Sequence, residues 1–242
     1  MNFSFLTLSP AEIEALLLSA KVAVFCTLII CIPGVAVAWL LAKKSFIGKT
    51  LLDSLVHLPL VLPPVVPGFL LLLLLGNQGW IGRWLQENFG VSVAFTWLGA
   101  VIASAVMAFP LMVRSARLAI SQVDSNLESA AQSLGAHPIR VFFTITLPLA
   151  MPGIVTGLIL AFSRSLGEFG ATITFVGNIA GETRTLPLAI YTYTQIPGGD
   201  FAAMRLVILS MVIALGALMI SEVLERKATR SVGRGQPEQH DD

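Results

Sequence analysis

The stretch "LESAAQSLGAHPIRVFFTITLP", Leu127–Pro148, decides how the chain is read. It is polar on one side, interrupted by Gly135, ended by Pro148 and flanked by long apolar runs. Ile120, Val123, Leu127, Ala131 and Leu134 recur every three or four residues, the stripe of one amphipathic helix. Gly135 predicts a left-handed stop for that helix. Pro138 suits the first turn of a second short helix carrying Ile139, Phe142 and Phe143, and Pro148 predicts its end as the next apolar run begins. The expected unit is a helix–turn–helix held between two apolar segments. It could lie in a membrane interface, or protrude and dock in a groove on a soluble partner. In the docking reading Ala130 and Ala131 allow backbones to approach closely, and Phe142 or Phe143 is the buried anchor.

Outward from this stretch the chain is apolar. Of its 242 residues 55% are hydrophobic and 12% charged, with a mean hydropathy of +0.83. Soluble domains carry roughly 25% charged residues, and several runs here reach the ~20 residues that span a bilayer as helix. Breaks at charge clusters predict an all-α polytopic membrane protein with five transmembrane helices, about 17–41, 54–76, 93–113, 149–172 and 201–221. The connections 43–50, 114–147 and 222–242 carry ten Lys and Arg residues, and the alternate connections 77–92 and 177–200 carry only Arg83 and Arg184. That asymmetry places the 114–147 loop and the C-terminus in the cytoplasm and the N-terminus outside. Three segments follow: an external N-terminal segment 1–16, a transmembrane domain 17–221 and a cytoplasmic tail 222–242 expected to be disordered. The N-terminus has neither a basic leader nor an A-x-A site, so the first span reads as its own insertion signal.

Two spans depart from plain lipid-facing helix. The second contains "LPLVLPPVVPG", with Pro59, Pro63, Pro64, Pro67 and Gly68, and reads either as a kinked packing helix or as a break lining a cavity. The fourth carries Gly153, Gly157, Ala161 and Ser165 four residues apart, a stripe for close helix approach read as intramolecular packing rather than a dimer seam. The same span holds Arg164 and Glu168 at i, i+4; such charges are costly in lipid and must face protein or a cavity. They read either as a pair locking neighbouring helices or as part of a weakly binding anion pathway together with Ser163, Ser165, Thr172 and Thr174. Catalytic chemistry finds no support. "FIGKT" at 46–50 ends like a phosphate-binding loop, but the motif needs glycine where Lys43 stands. His57, His137 and His240 are scattered, and Cys26 and Cys31, five apart in one span, read as packing residues rather than a disulfide or metal pair. No basic run suggests nucleic acid.

The polar stretch resembles the EAA loop of ABC importer permeases, E-A-A, three residues, G, nine residues, I-x-L-P. Ala130-Ala131, Gly135, Ile145, Leu147 and Pro148 fall in register. The family's glutamate position holds Ser129, and Glu128 stands one residue early. The run "RSLGEFGATITFVGNIAGETRTLP" is similar to molybdate permease subunits of the type I importer class, and the likeness extends over about 10–220. Sulfate permeases resemble it less, tending to have Tyr where Phe169 stands. The resemblance implies the type I importer permease fold and a non-enzymatic subunit of an ATP-driven oxyanion importer in the bacterial inner membrane. It implies a homodimer, two cytoplasmic ATPase subunits that bind the ATP, an external oxyanion-binding protein, and no cofactor or metal on this chain. Glu128, Ala130, Ala131, Gly135, Phe142, Phe143, Ile145, Leu147 and Pro148 would then couple to the ATPase. A sulfate, tungstate or broad oxyanion permease of the same architecture stays open, as does a secondary transporter driven by an ion gradient.

Overall fold

In the computed structural model, residues 8–233 are described, with side chains up to residue 216 and at Met219. The chain opens with helix α1, Pro10–Lys43, seven residues before the expected start of the first span. The cause is a capping box. The Ser9 hydroxyl accepts from the Glu12 N–H at 3.4 Å, and Glu12 Oε2 accepts from the Ser9 N–H at 2.6 Å. Pro10 occupies the first helical position, where its missing donor is not needed. The other Glu12 oxygen receives Nε (3.1 Å) and Nη2 (2.5 Å) of Arg205 in the last helix, so one carboxylate starts the first helix and fastens it to the last.

The second span is broken. Helix α2, Lys49–Val61, and helix α3, Val65–Leu75, meet at 112°. Pro63 and Pro64 supply no N–H, and the turn between them is closed by the Val66 N–H on the Pro63 carbonyl at 2.8 Å. Helix α4, Trp80–Phe89, follows, and then α5, Trp97–Ser121, started by Thr96, whose hydroxyl accepts from the Gly99 N–H. Helix α6 is Ser125–Ser133 and α7 is Pro138–Val141; a π-helical turn, Phe142–Thr146, leads without interruption into α8, Leu147–Leu166. Short α9, Gly170–Val176, and α10, Leu186–Thr194, precede α11, Asp200–Gly233.

Three of the expected spans fall on helices long and apolar enough to cross alone: α1, α5 and the continuous Pro138–Leu166 run; bent α2–α3 makes a fourth. Helix α11 covers all of the expected fifth span and continues through 222–233, and residues 1–7 and 234–242 of the expected terminal segments lie outside the described residues. The fourth span is not one helix from 149 to 172. It stops at Leu166, and a break at Gly167–Phe169 separates it from α9. Its expected small-residue stripe does pack within the chain. A Cβ on Gly153 would sit 2.4 Å from that of Ala119, and one on Gly157 would sit 3.0 Å from Met112 Sδ and 3.1 Å from Ser115 Cβ. The Ser115 hydroxyl donates to the Gly153 carbonyl across the same contact at 2.8 Å.

Helix α5 is the axle. Over its apolar window 56% of residues are buried, against 28% in each of the other two long helices, so α5 is the interior member. Met112 is fully buried between Gly34 of α1, where a Cβ would meet its Cγ at 2.7 Å, and Gly157 of α8. Between helices in lipid such steric fit and a few hydrogen bonds supply the association, because the solvent is as apolar as the side chains. The broken elements are covered in the same way: a Cβ on Gly68 of α3 would lie 2.6 Å from the Ala171 carbonyl, and one on Gly170 would lie 2.7 Å from Pro64 Cβ. Gly157→Leu is expected to overpack this seam at a cost of about 1–3 kcal/mol. The purified subunit should melt at a lower temperature, whereas Gly167→Ala, with nothing within 4 Å of its new Cβ, should melt like the parent.

Candidate functional site

The loop between α5 and α8 is built from local signals. The Asp124 side chain accepts from the Asn126 N–H at 2.8 Å and starts α6. This cap breaks the expected single stripe: Ile120 ends up fully buried in α5 and Val123 in the connection, while Leu127 and Leu134 belong to a separate helix. Gly135 then stops α6 at φ +88°. Its N–H bonds the Gln132 carbonyl at 2.9 Å and the Ala136 N–H bonds the Ala131 carbonyl at 3.0 Å, a Schellman closure. His137 Nδ1 accepts from the Ile139 N–H, and Pro138 opens α7 as expected. Pro148, expected to end this second helix, does not. The Leu147 N–H reaches back five residues to the Phe142 carbonyl, and this wide turn lets the helix continue past a proline without a donor.

The loop has two faces. Outward stand Leu134 (90% exposed), Ile139 (63%), Phe143 (60%) and Leu127 (49%), with Ala130 exposed among them and Ala131 half-buried. Helix α6 buries none of its own residues against the rest of the chain. Inward, Phe142 packs edge-on against Trp39 of α1 with ring centroids 5.8 Å apart, so of the adjacent phenylalanines Phe143 is the exposed one. Ile145 and Leu147 are half-buried at the base of α8, and Pro148 is exposed beside them. Glu128 turns inward too. Its Oε2 lies 2.9 Å from Lys43 Nζ, and its Oε1 accepts from the buried Thr146 hydroxyl at 2.6 Å. Lys43 Nζ also approaches the Val123 carbonyl at 3.4 Å. Lys43, Trp39 and Thr146 were not anticipated, because their partners lie 85, 103 and 18 residues away in sequence and no local pattern marks them.

The second candidate group surrounds the α8–α9 break. Arg164 Nη1 lies 2.7 Å from Glu168 Oε2, the arginine partly exposed and the glutamate side chain 1% exposed. Glu168 Oε1 accepts from the Ala171 N–H at 2.8 Å, so the carboxylate both neutralises Arg164 and caps α9. The pair therefore joins the end of α8 to the break that follows it rather than lying along one helix. Thr172 is buried, with its hydroxyl on the Phe169 carbonyl at 2.9 Å, and the Thr174 hydroxyl bonds the Gly170 carbonyl at 2.8 Å. Both threonines are turned to their own backbone. The buried hydroxyl oxygens of Ser163 and Ser165 have no partner among the described residues. His57 bonds the Asp53 carbonyl through Nδ1 at 2.8 Å, and the Asp53 carboxylate holds Arg117 of α5 at 2.8 Å.

A bent second span, a small-residue seam between α5 and α8 and an exposed two-helix loop between them are the features by which relatives can be judged. Residues 34–230 match the family model of the binding-protein-dependent transport system inner membrane component. The chain belongs to that family. It is 57% identical over 227 residues to the molybdenum transport system permease protein ModB of Escherichia coli K12, covering 94% of this chain and 99% of that one. It is 53% identical to the Haemophilus influenzae protein of the same name over 93% and 98% of the two chains. Among solved structures, a bacterial ABC transporter that imports the acidic polysaccharide alginate superposes with a TM-score of 0.75 at 20% identity, over 94% of this chain and 84% of that one. The fold is that of type I ABC importer permeases, and the chain is a multi-pass inner-membrane permease subunit of that transporter class.

Two outcomes test this permease's site geometry. At Gly135 a Cβ meets nothing within 4 Å, so substitution costs only the left-handed backbone, ~1–2 kcal/mol for an ordinary L residue. Gly135→Val should therefore lower hydrogen-exchange protection of the α6 amides, and Gly135→Asn should largely preserve it. At the break, Arg164→Met strands a buried carboxylate and is expected to cost up to about 3 kcal/mol. The double variant R164M/E168Q should recover the melting temperature; recovered melting with uptake still lost assigns the pair to the transport path, and recovered uptake assigns it to structure.

Proposed function

We propose that this chain is the membrane-spanning subunit of an ATP-driven importer that carries molybdate across the cytoplasmic membrane. The observation that carries the reading is 57% identity across nearly the full length of both chains with a molybdenum transport permease. In this reading the transmembrane domain is 17–221, the N-terminus lies outside, and the tail 222–242 lies in the cytoplasm, supported by the ten-to-two bias of Lys and Arg between the alternating connections. Two copies of the chain form the pathway, two cytoplasmic ATPase subunits bind ATP, and an external oxyanion-binding protein delivers cargo.

The exposed face of α6 and α7 suits an ATPase cleft. Leu134 and Phe143 supply apolar anchors and Ala130 and Ala131 leave room for backbone approach, as helix-in-groove recognition requires. ATP-driven closure of the two ATPase subunits pushes on this face and opens the permease outward; hydrolysis returns it inward. Inverting the two populations from 1:99 to 99:1 needs only ~5.5 kcal/mol of differential binding. Near the α8–α9 break, Arg164 offers an anion a cation already half-satisfied by Glu168, which suits a conduit that must release its cargo. Ser163 offers an unpartnered hydroxyl beside it, and Thr172 and Thr174 contribute by shaping α9 rather than by direct contact.

A sulfate reading has a specific support of its own: a probable sulfate transport system permease protein of Chlorokybus atmophyticus is 38% identical over 78% of this chain. Uptake of labelled molybdate into vesicles bearing the permease, its ATPase and its receptor decides between them. Uptake should require ATP and be suppressed by excess tungstate but spared by sulfate. Equal suppression by sulfate would place the chain among broad oxyanion carriers, and uptake with an inactivated ATPase would overturn the ABC reading.

A further inference from the structure

The docking face of α6 is apolar and turned outward, which leaves open what holds the helix to the membrane domain. Its leucines do not: Leu127 and Leu134 are 49% and 90% exposed, and α6 buries no residue. What reaches inward is Glu128, whose side chain is only 15% exposed. One of its oxygens meets Lys43, the last residue of α1, and the other accepts from Thr146, the last residue of the π-helical turn beneath α8. Lys43 reaches on to the Val123 carbonyl at the α5–α6 connection. A single carboxylate thus joins the docking helix, the inner end of the first span and the base of the fourth.

We propose that Glu128, Lys43 and Thr146 form a transmission joint, in which Glu128 is a positioning residue that never touches the ATPase. The proposal rests on the importer reading and says where the ATPase's push goes. A charge pair of 15% and 19% exposed side chains has little water to fall back on, so the joint stays closed while α6 moves. The displacement is delivered to α1 and α8 together, the two helices seated against Met112 of the axle α5. The family's glutamate position, one residue later, holds Ser129, which is exposed. The shift by one residue turns a carboxylate from the docking face to the inward face, and the partners waiting there are Lys43 and Thr146.

The test uses the assembled transporter and reads three quantities: ATPase co-purified, ATP hydrolysed, and molybdate taken up per ATP. Glu128→Gln, Lys43→Met and Thr146→Val should each retain the ATPase at the parental ratio while uptake per ATP falls, by roughly five-fold or more for the two charge variants. The swap K43E/E128K should restore most of that ratio, as required if the pairing of the two charges carries the coupling. Leu134→Glu, on the docking face, should instead lose the ATPase. If Glu128→Gln also loses the ATPase, Glu128 belongs to the docking face and the joint is wrong, while the importer reading stands. Parental uptake per ATP in Glu128→Gln, or no recovery in the swap, likewise overturns the joint. A parental assembly without ATP-dependent uptake overturns the importer reading beneath it.

Discussion

Helices in a bilayer gain little by hiding apolar surface from one another, so the whole arrangement depends on how closely α8 can lie against α5. That distance is set where Gly153 and Gly157 face Ala119, Met112 and Ser115, with the Ser115 hydroxyl bonded to the Gly153 carbonyl. Gly34 brings α1 to the opposite side of Met112. With these three helices fixed on one methionine, both ends of α8 acquire defined positions. Its base carries Thr146 and the α6–α7 loop; its far end carries Arg164 and the break before α9. The two candidate functional regions are therefore opposite ends of one helix.

The irregular segments are tolerated because protein, not lipid, surrounds the strained backbone. The Pro63–Pro64 bend is roofed by Gly170, and α3 lies on α9 closely enough that a Cβ at Gly68 would strike the Ala171 carbonyl. Backbone groups freed by a break at membrane depth require that kind of cover. Glu168 serves the second break in the same spirit, supplying an acceptor to the Ala171 N–H and a counter-charge to Arg164 at once. The π-helical turn solves the corresponding problem at Pro148, carrying the chain into α8 with one wider ring of hydrogen bonding instead of a stop.

Much of the architecture was legible in the residues. Gly135 as a left-handed stop, Pro138 as a helix opener and the Gly153–Ser165 stripe as an internal seam all follow from local stereochemistry, and each is found. The capping box Ser9–Glu12 was equally legible, but hydropathy alone starts the first span later than its hydrogen bonds do. The readings that failed share a cause. The stripe from Ile120 to Leu134 predicts one helix, although Asp124 begins a new one, and Pro148 predicts a stop although a π turn carries the helix through it. In both places backbone hydrogen bonds around one residue decide the outcome, and residue type and spacing do not show them.

The sequence by itself determined that the chain is a bundle of membrane helices, which connections carry the positive charge, and where a polar loop interrupts the apolar runs. These are properties of composition and spacing, and the bilayer enforces them residue by residue. Only the tertiary structure decided that Glu128 faces Lys43, and that Phe142 packs on Trp39 while Phe143 is exposed. Each of those outcomes depends on the rotation of one helix about its axis relative to another. That rotation is fixed by steric fit between residues far apart in the chain, about which local spacing carries no information.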